Sequence, residues 1–196
     1  MIALDTTSAP FLIVFGGAPG AGKTTLSRRL AADYRLPRLS ADVIGQTIRT
    51  SQALTDPTID AQWIAHDVLF QLGEELLQAN VSAILDINLG WAFQWVWLDR
   101  MCVRYPAVRI LPIVLRCPRD LCLARISARY ASDPAHEADP QEFVTNPLIL
   151  RVWAFLEQLE RADMHVVDAS GDHETVYTAV TRYLRTELGS AHLWTR

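Results

Sequence analysis

Five apolar runs of strand length punctuate the chain: FLIVF at Phe11 to Phe15, a weaker PRLS at Pro37 to Ser40, SAILDI at Ser82 to Ile87, RILPIVLRC at Arg109 to Cys117, and MHVVD at Met164 to Asp168. Segments of helix length separate them. Such alternation predicts βαβ units and a mostly parallel sheet buried on both faces.

Helical spacing fills the gaps. Leu26 and Leu30 share one face of a predicted helix from Gly22 to Tyr34. A longer helix from Asp60 to Ala79 carries Ile64, Val68, Leu72 and Leu76 at four-residue steps, a stripe expected to pack on the sheet. Further helices are predicted to start near Trp91 and at Pro118, a residue suited to a first turn, and the last to run from Glu174 to Leu188. The stretch ASDPAHEADPQEFVTNP, Ala131 to Pro147, lacks periodicity and reads as a long surface loop with room for a short helix, in the manner of a lid.

With 196 residues, half of them apolar and a fifth charged, the expectation is one globular domain spanning 1–196, its lid at about 130–150. Cys102, Cys117 and Cys122 have neither a disulfide-framework count nor metal-site spacing, so buried or half-buried thiols in a reducing cytoplasm are expected. The N-terminal apolar run lacks a basic flank and carries Asp5, which fits neither a signal peptide nor a membrane span. A net charge of −4 gives no bulk attraction to nucleic acid or acidic lipid.

Within this background FGGAPGAGKTT stands out, because Lys23 is the only lysine among 18 basic residues. Gly17, Gly22, Lys23 and Thr24 match G-x-x-x-x-G-K-[ST], with a strand-like run before and a helical pattern after. Glycines let successive amides turn toward phosphate oxygens, and the helix N-terminus adds positive potential. The whole loop, Gly17, Ala18, Pro19, Gly20, Ala21, Gly22, Lys23, Thr24 and Thr25, is the expected cradle for ATP. A compact ammonium fits between phosphates where a guanidinium would be too large, and Thr24 offers a hydroxyl to Mg²⁺.

The chemistry beyond phosphate binding depends on groups at the carboxyl ends of the other strands. Asp42, after the second strand, is the candidate base that orients an acceptor hydroxyl; Asp86, ending the third, is the candidate Mg²⁺ ligand; the two roles could be exchanged. Asp42 also suits a helix N-cap for a segment starting at Val43, and Asp86 a buried structural carboxylate. Arg125 and Arg129 share a helix face before the lid and are candidates to clamp phosphate charge, against the plainer reading of a solvated face. Of Arg116 and Arg119, one could stack on adenine, and Arg116 is the candidate. Asn88 and Trp91 fall where an acceptor should sit, although tryptophans such as Trp91, Trp95 and Trp97 more often belong to a core. His66 reads as packed on its helix and His136 as a loop residue.

The stretches GGAPGAGKTTLSRRLA, LSADVI, AILDINL and LARISARYASDPAHEAD together resemble the P-loop small-molecule kinases of the zeta-toxin, chloramphenicol phosphotransferase and gluconate kinase group, also described as AAA-type ATPases. The resemblance covers most of the chain. It implies a five-stranded parallel sheet in the order 2-3-1-4-5 flanked by helices, like a nucleoside monophosphate kinase with a lid. It also implies ATP with Mg²⁺ and transfer of the γ-phosphoryl group to a hydroxyl. Many relatives carry an arginine three residues after the aspartate matching Asp42; here that position is Gly45, with Arg49 further along. A small-molecule hydroxyl acceptor is the first expectation. A toxin-like or switch module acting on a protein partner is the alternative, and a polynucleotide 5′-kinase a third, for which Arg100, Arg104 and Arg109 could form one edge of a channel but no dense basic run exists. The sequence is silent on oligomeric state.

Overall fold

A computed structural model describes residues 9–51, 60–135 and 137–189. Its centre is β1 (Phe11–Gly17), every residue of which is buried, as befits a strand covered on both faces. β2 (Arg38–Ser40), β3 (Ala83–Asp86), β4 (Arg109–Arg116) and β5 (His165–Asp168) complete a parallel sheet of order β2-β3-β1-β4-β5. The register aligns the carboxyl ends: Ser40 pairs with Asp86, Asp86 with Phe15, and Arg116 with Asp168. The phosphate-loop motif and both candidate acids therefore emerge along one edge.

Helices cover both faces. The crossover from β1 to β2 through α1 (Lys23–Tyr34) runs one way along the sheet, and those through α3 (Ala61–Gln78) and α4 (Ala92–Arg104) run the other way. Right-handed connection then places α1 on the face opposite α3 and α4. α8 (His173–Leu188) lies beside α1, joined by the Arg29–Glu174 ion pair and by Tyr177 donating to Asp33. α2 (Ala41–Arg49) follows β2 and packs on α3, while α5 (Arg119–Ser132) follows β4.

Three expectations need correction. The stripe Ile64, Val68 and Leu72 does not face the sheet; these residues are 37, 37 and 42% exposed. The buried row lies one residue round the helix, at Ala65, Leu69, Phe70, Gly73 and Leu77. Gly73 is small enough to let α3 approach the sheet closely, a Cβ there falling 3.4 Å from Leu85 Cδ2, while Ala65 meets α2, its Cβ 3.5 Å from one built on Gly45. Bulk alone points to the wrong row. Secondly, although the segment from Ala131 is the expected loop with a short helix, α6 (Glu142–Thr145), the chain continues into α7 (Pro147–Gln158), a helix not anticipated. Its start has clear chemistry, since Asn146 Oδ1 accepts from the Leu148 amide at 2.9 Å and Pro147 occupies the first turn. Thirdly, Cys102 is exposed rather than buried, whereas Cys117 is half-buried and Cys122 buried, all as free thiols.

α7 seats Val152, Trp153 and Leu156 in the core. Val152 meets Gly90, where an added Cβ would come within 2.6 Å of Val152 Cγ1. Gly90→Ala should therefore overpack this contact and cost about 1–3 kcal/mol, seen as a fall of about 5 °C in the thermal midpoint by circular dichroism. An unchanged midpoint would show that α7 is free to move away.

Candidate active site

The turn from β1 into α1 is built by left-handed glycines. Gly20 has φ +81° and leaves no room for a side chain, because a Cβ there would lie 2.5 Å from the Cys122 carbonyl oxygen. Gly22, at φ +98°, faces open space; only its backbone conformation requires glycine. The Gly17 amide donates to the Asn88 carbonyl at 2.8 Å, tying the turn to the segment after β3. Ala18 and Ala21 are buried, Pro19, Thr24 and Lys23 half-buried, and Thr25 exposed. The Leu26 amide makes its helical bond to Gly22, and the amides of the turn before it form the positive end of α1.

Lys23 curls back into the loop, its Nζ donating to the carbonyls of Gly17 at 2.8 Å and Ala18 at 3.0 Å. Burial pushes its pKa below the ordinary lysine value. Asp86 and then Asp42 pull the other way, favouring the charged ammonium. Asp86 ends β3 and Asp42 follows β2 in the first turn of α2, so register and connectivity put both candidate acids on the loop's side of the sheet edge.

Asp86 is 5% exposed and already well partnered. Its Oδ2 accepts from Ser27 Oγ at 2.9 Å and from Arg38 Nη2, and Arg38 Nε donates to Ser27 Oγ at 2.7 Å. Sequence reasoning missed Arg38; the available signal was an arginine opening a short strand beside an expected buried acid. Asp42 is exposed in the first turn of α2, where Ser40 takes the N-cap position. The helix begins at Ala41, two residues earlier than the capping alternative required.

Asn88 and Trp91 lie just beyond β3. The Asn88 Oδ1 accepts from the Gly90 amide at 2.9 Å, and the Trp91 amide donates to Gln94 Oε1 at 3.1 Å. Trp95 is buried with its Nε1 donating to the Leu89 carbonyl at 3.0 Å, and Trp97 stacks on Phe70 at 4.3 Å, so both serve the core. Trp91 instead meets Trp63 edge-on at 5.0 Å.

The arginines diverge. Arg125 donates to the carbonyls of Ala169 at 3.0 Å and Gly171 at 3.1 Å, fastening α5 to the loop after β5. Arg129, one turn on, is exposed and 3.8 Å from Glu137; it adds positive field at Lys23. The two guanidinium groups therefore do not form a pair, because Arg125 is engaged by backbone. Arg116 donates to the Leu159 carbonyl at 2.9 Å and lines a cavity of about 570 Å³ with Ala18, Arg119, Trp153, Leu156 and Asp168. Arg119 lies over the Trp153 ring at 5.7 Å. His136 lies outside the described residues. His66 is buried, as expected, with Nδ1 2.8 Å from the Gln62 carbonyl. Among the described residues no cluster of three or more His, Cys, Asp or Glu could hold a metal, and no helix is long and apolar enough to cross a membrane.

A parallel sheet of this order, with a glycine-lysine turn entering the first helix, defines the P-loop kinase fold. The chain belongs to the AAA domain family, matched over residues 12–146. It is similar to three solved structures of this fold. One is a provisionally named kinase from Chloroflexus aurantiacus (TM-score 0.65, 23% identity, covering 91% of this chain and 98% of that one). Another is a sugar kinase from a Janibacter species (0.62, 20%, 95% and 99%). The third is a gluconokinase from Sinorhizobium meliloti (0.58, 17%, 92% and 97%). No curated protein matches the sequence.

The Arg38–Asp86 pair has side chains only 13 and 4% exposed, so removing one partner strands a buried charge. Arg38→Met should cost about 3–5 kcal/mol in urea unfolding. Arg38→Met combined with Asp86→Leu should cost less than Arg38→Met alone; an equal or larger loss would show that packing of the aliphatic stem, and not charge, is what Arg38 supplies. A second check concerns Cys122, whose thiol burial pushes up to about 12. It should remain protonated and resist iodoacetamide at a pH of about 8 in the folded protein, yet react after unfolding, as read by peptide mass spectrometry.

Proposed function

We propose that this protein is an ATP-dependent phosphotransferase that moves the γ-phosphoryl group to a hydroxyl of a small molecule. The observation that carries the reading is the placement of Asp42 and Lys23 on one edge of the sheet, with the lysine inside the glycine turn and the carboxylate within its field. The loop amides and the N-terminus of α1 would bind the phosphates of ATP. Lys23 would exchange its two carbonyl contacts for β- and γ-phosphate oxygens, a change favoured because an ammonium gains more from anions than from neutral carbonyls.

Asp42 would hold the acceptor hydroxyl in line and take its proton as the oxygen–phosphorus bond forms. Thr24 and Asp86 fit Mg²⁺, Thr24 through its hydroxyl and Asp86 through water or the oxygen not engaged by Ser27 and Arg38. When bound, Mg²⁺ supplies charge neutralisation at the phosphates. Arg129 is free enough of strong partners to swing toward developing charge, and the segment from α5 into α6 would exclude water on closing. Arg125 would act by shaping the β5–α8 loop at the nucleotide side. A polynucleotide acceptor gains no support, since Arg104 pairs with Glu74 and Arg109 with Glu187, neutralising the edge such a channel would use. Three free thiols suit a reducing cytoplasm.

A mass-spectrometric screen for phosphorylated products with ATP and Mg²⁺ tests the reading. Lys23→Ala and Arg129→Ala should lose turnover. Asp42→Asn should lower kcat by about 10²- to 10⁴-fold while the ATP dissociation constant shifts by less than about threefold, because the carboxylate acts on the acceptor only. Full activity in Asp42→Asn would remove it as the base. No product from any class of hydroxyl compound would overturn the function itself.

A further inference from the structure

α2 packs on the first turns of α3 at Gly45, where a Cβ would lie 3.5 Å from Ala65 Cβ, and Asp42, one turn earlier, acts electrostatically on His66; on that side the molecule carries a wall of aromatic rings that the transfer chemistry does not use. α3 runs back toward the start of β3, so its first turn, with Trp63, stands at the same edge as the carboxyl end of β3, from which Trp91 and Phe93 emerge. Trp63 meets Trp91 at 5.0 Å and Phe93 at 5.5 Å, both edge-to-face. Phe93 in turn meets His66 at 5.6 Å and Phe70 at 6.4 Å, and Phe70 stacks on Trp97. The cluster grades from the buried Phe70 at its base to Phe93, 38% exposed, at its rim. Trp63 and Trp91 are half-buried. A ring cluster belonging wholly to the core would close over; this one leaves Phe93 exposed and Trp63 and Trp91 half-buried.

Among the described residues several polar groups near it have partners, and the buried Gln94 Nε2 has none. Arg38 serves Asp86, Arg49 donates to Gln46 at 3.1 Å and to Gln62 at 3.5 Å, and the Asn88 and Gln94 oxygens accept from backbone amides. Gly45, on the α2 face toward α3, contributes no side chain, and even a Cβ there would come 3.3 Å from Gln62 Oε1. Burial lowers the pKa of His66 from its ordinary value, which keeps the ring neutral and adds no cation. Arg49, exposed and held only by neutral amides, stays available to an anion, so it is the aromatic surface itself that favours a planar ring over a sugar acid.

We propose that the acceptor is an uncharged alcohol bearing an aromatic or heteroaromatic ring, the ring seated against Trp63, Trp91 and Phe93 with its hydroxyl directed at Asp42. This rests on the phosphotransferase reading above. The acceptor oxygen forms the bond to the γ-phosphorus, the bond from that phosphorus to the β–γ bridging oxygen breaks, ADP leaves, and the hydroxyl proton goes to Asp42.

The test uses the full chain with ATP and Mg²⁺ and two acceptor panels: aryl alcohols such as 1-phenyl-1,2-ethanediol together with pyrimidine nucleosides, and polyols together with D-gluconate. The expected result is phosphorylated product from the first panel with kcat/KM at least about tenfold above the second. Trp63→Ala should raise KM for the aromatic acceptor by about tenfold with kcat within about threefold, and Trp63→Phe should restore KM. Preference for D-gluconate or polyols would overturn the aromatic assignment and leave the phosphotransferase reading standing. An unmoved KM in Trp63→Ala would overturn the proposed seat. No product from either panel would overturn both readings.

Discussion

The carboxylate of Asp86, held in the interior by Ser27 and Arg38, is the junction on which the active edge depends. The three residues come from β3, α1 and β2, two paired strands and the helix that packs across them. Desolvating a carboxylate and a guanidinium costs several kcal/mol per ion, and their attraction offsets this only with good geometry and further hydrogen bonds. Ser27 supplies those bonds by donating to one partner and accepting from the other. The result fixes α1, and so the phosphate turn at its N-terminus, against the two strands that lead to Asp42 and Asn88. A dry apolar contact could hold these elements together equally well, but it would not fix the rotation of α1 about its axis so closely.

From that junction the site divides into two halves of different construction. The donor half is backbone: a glycine turn, helix amides, the Asn88 carbonyl on the Gly17 amide, and a lysine folded onto two carbonyls. The proposed acceptor half is side chain: an exposed carboxylate on the first turn of α2 and aromatic rings from α3 and the start of α4. Backbone recognition of phosphate tolerates little change, because each amide direction is set by a dihedral angle. Side-chain walls can be rebuilt residue by residue on the same frame. The similar structures, all at 23% identity or below, share the fold with this chain and need not share its acceptor wall.

This division explains what could be read from the sequence. The strands and the phosphate turn were legible because each is written in contiguous residues: apolar runs, a glycine motif and a flanking helix pattern; the strand order came only from the resemblance to P-loop kinases. Arg38 was not legible, since its meaning depends on partners 11 and 48 positions away. The clamp imagined for Arg125 and Arg129 rested on helical spacing, which shows that two residues share a face but not what lies opposite; three successive carbonyls after β5 engage the first of them. α7 went unseen because its acidic, proline-containing approach looked like a loop, although Asn146–Pro147 is itself a helix-starting signal.

α3 shows most clearly why the acceptor side needed coordinates. The helix carries two apolar rows, and the bulkier one, Ile64, Val68 and Leu72, is the exposed one. Close approach to the sheet is set at Gly73 and to α2 at Ala65, so the helix rotates to present its small residues to its neighbours. That same rotation swings His66 and Phe70 under α4 and sets Trp63 against Trp91 and Phe93. Had Ile64 and Val68 faced the sheet, Trp63 would have turned about 100° away from α4. Two residues without bulk thus decide which rings stand beside Asp42, and a pattern scored by hydrophobic size is blind to them.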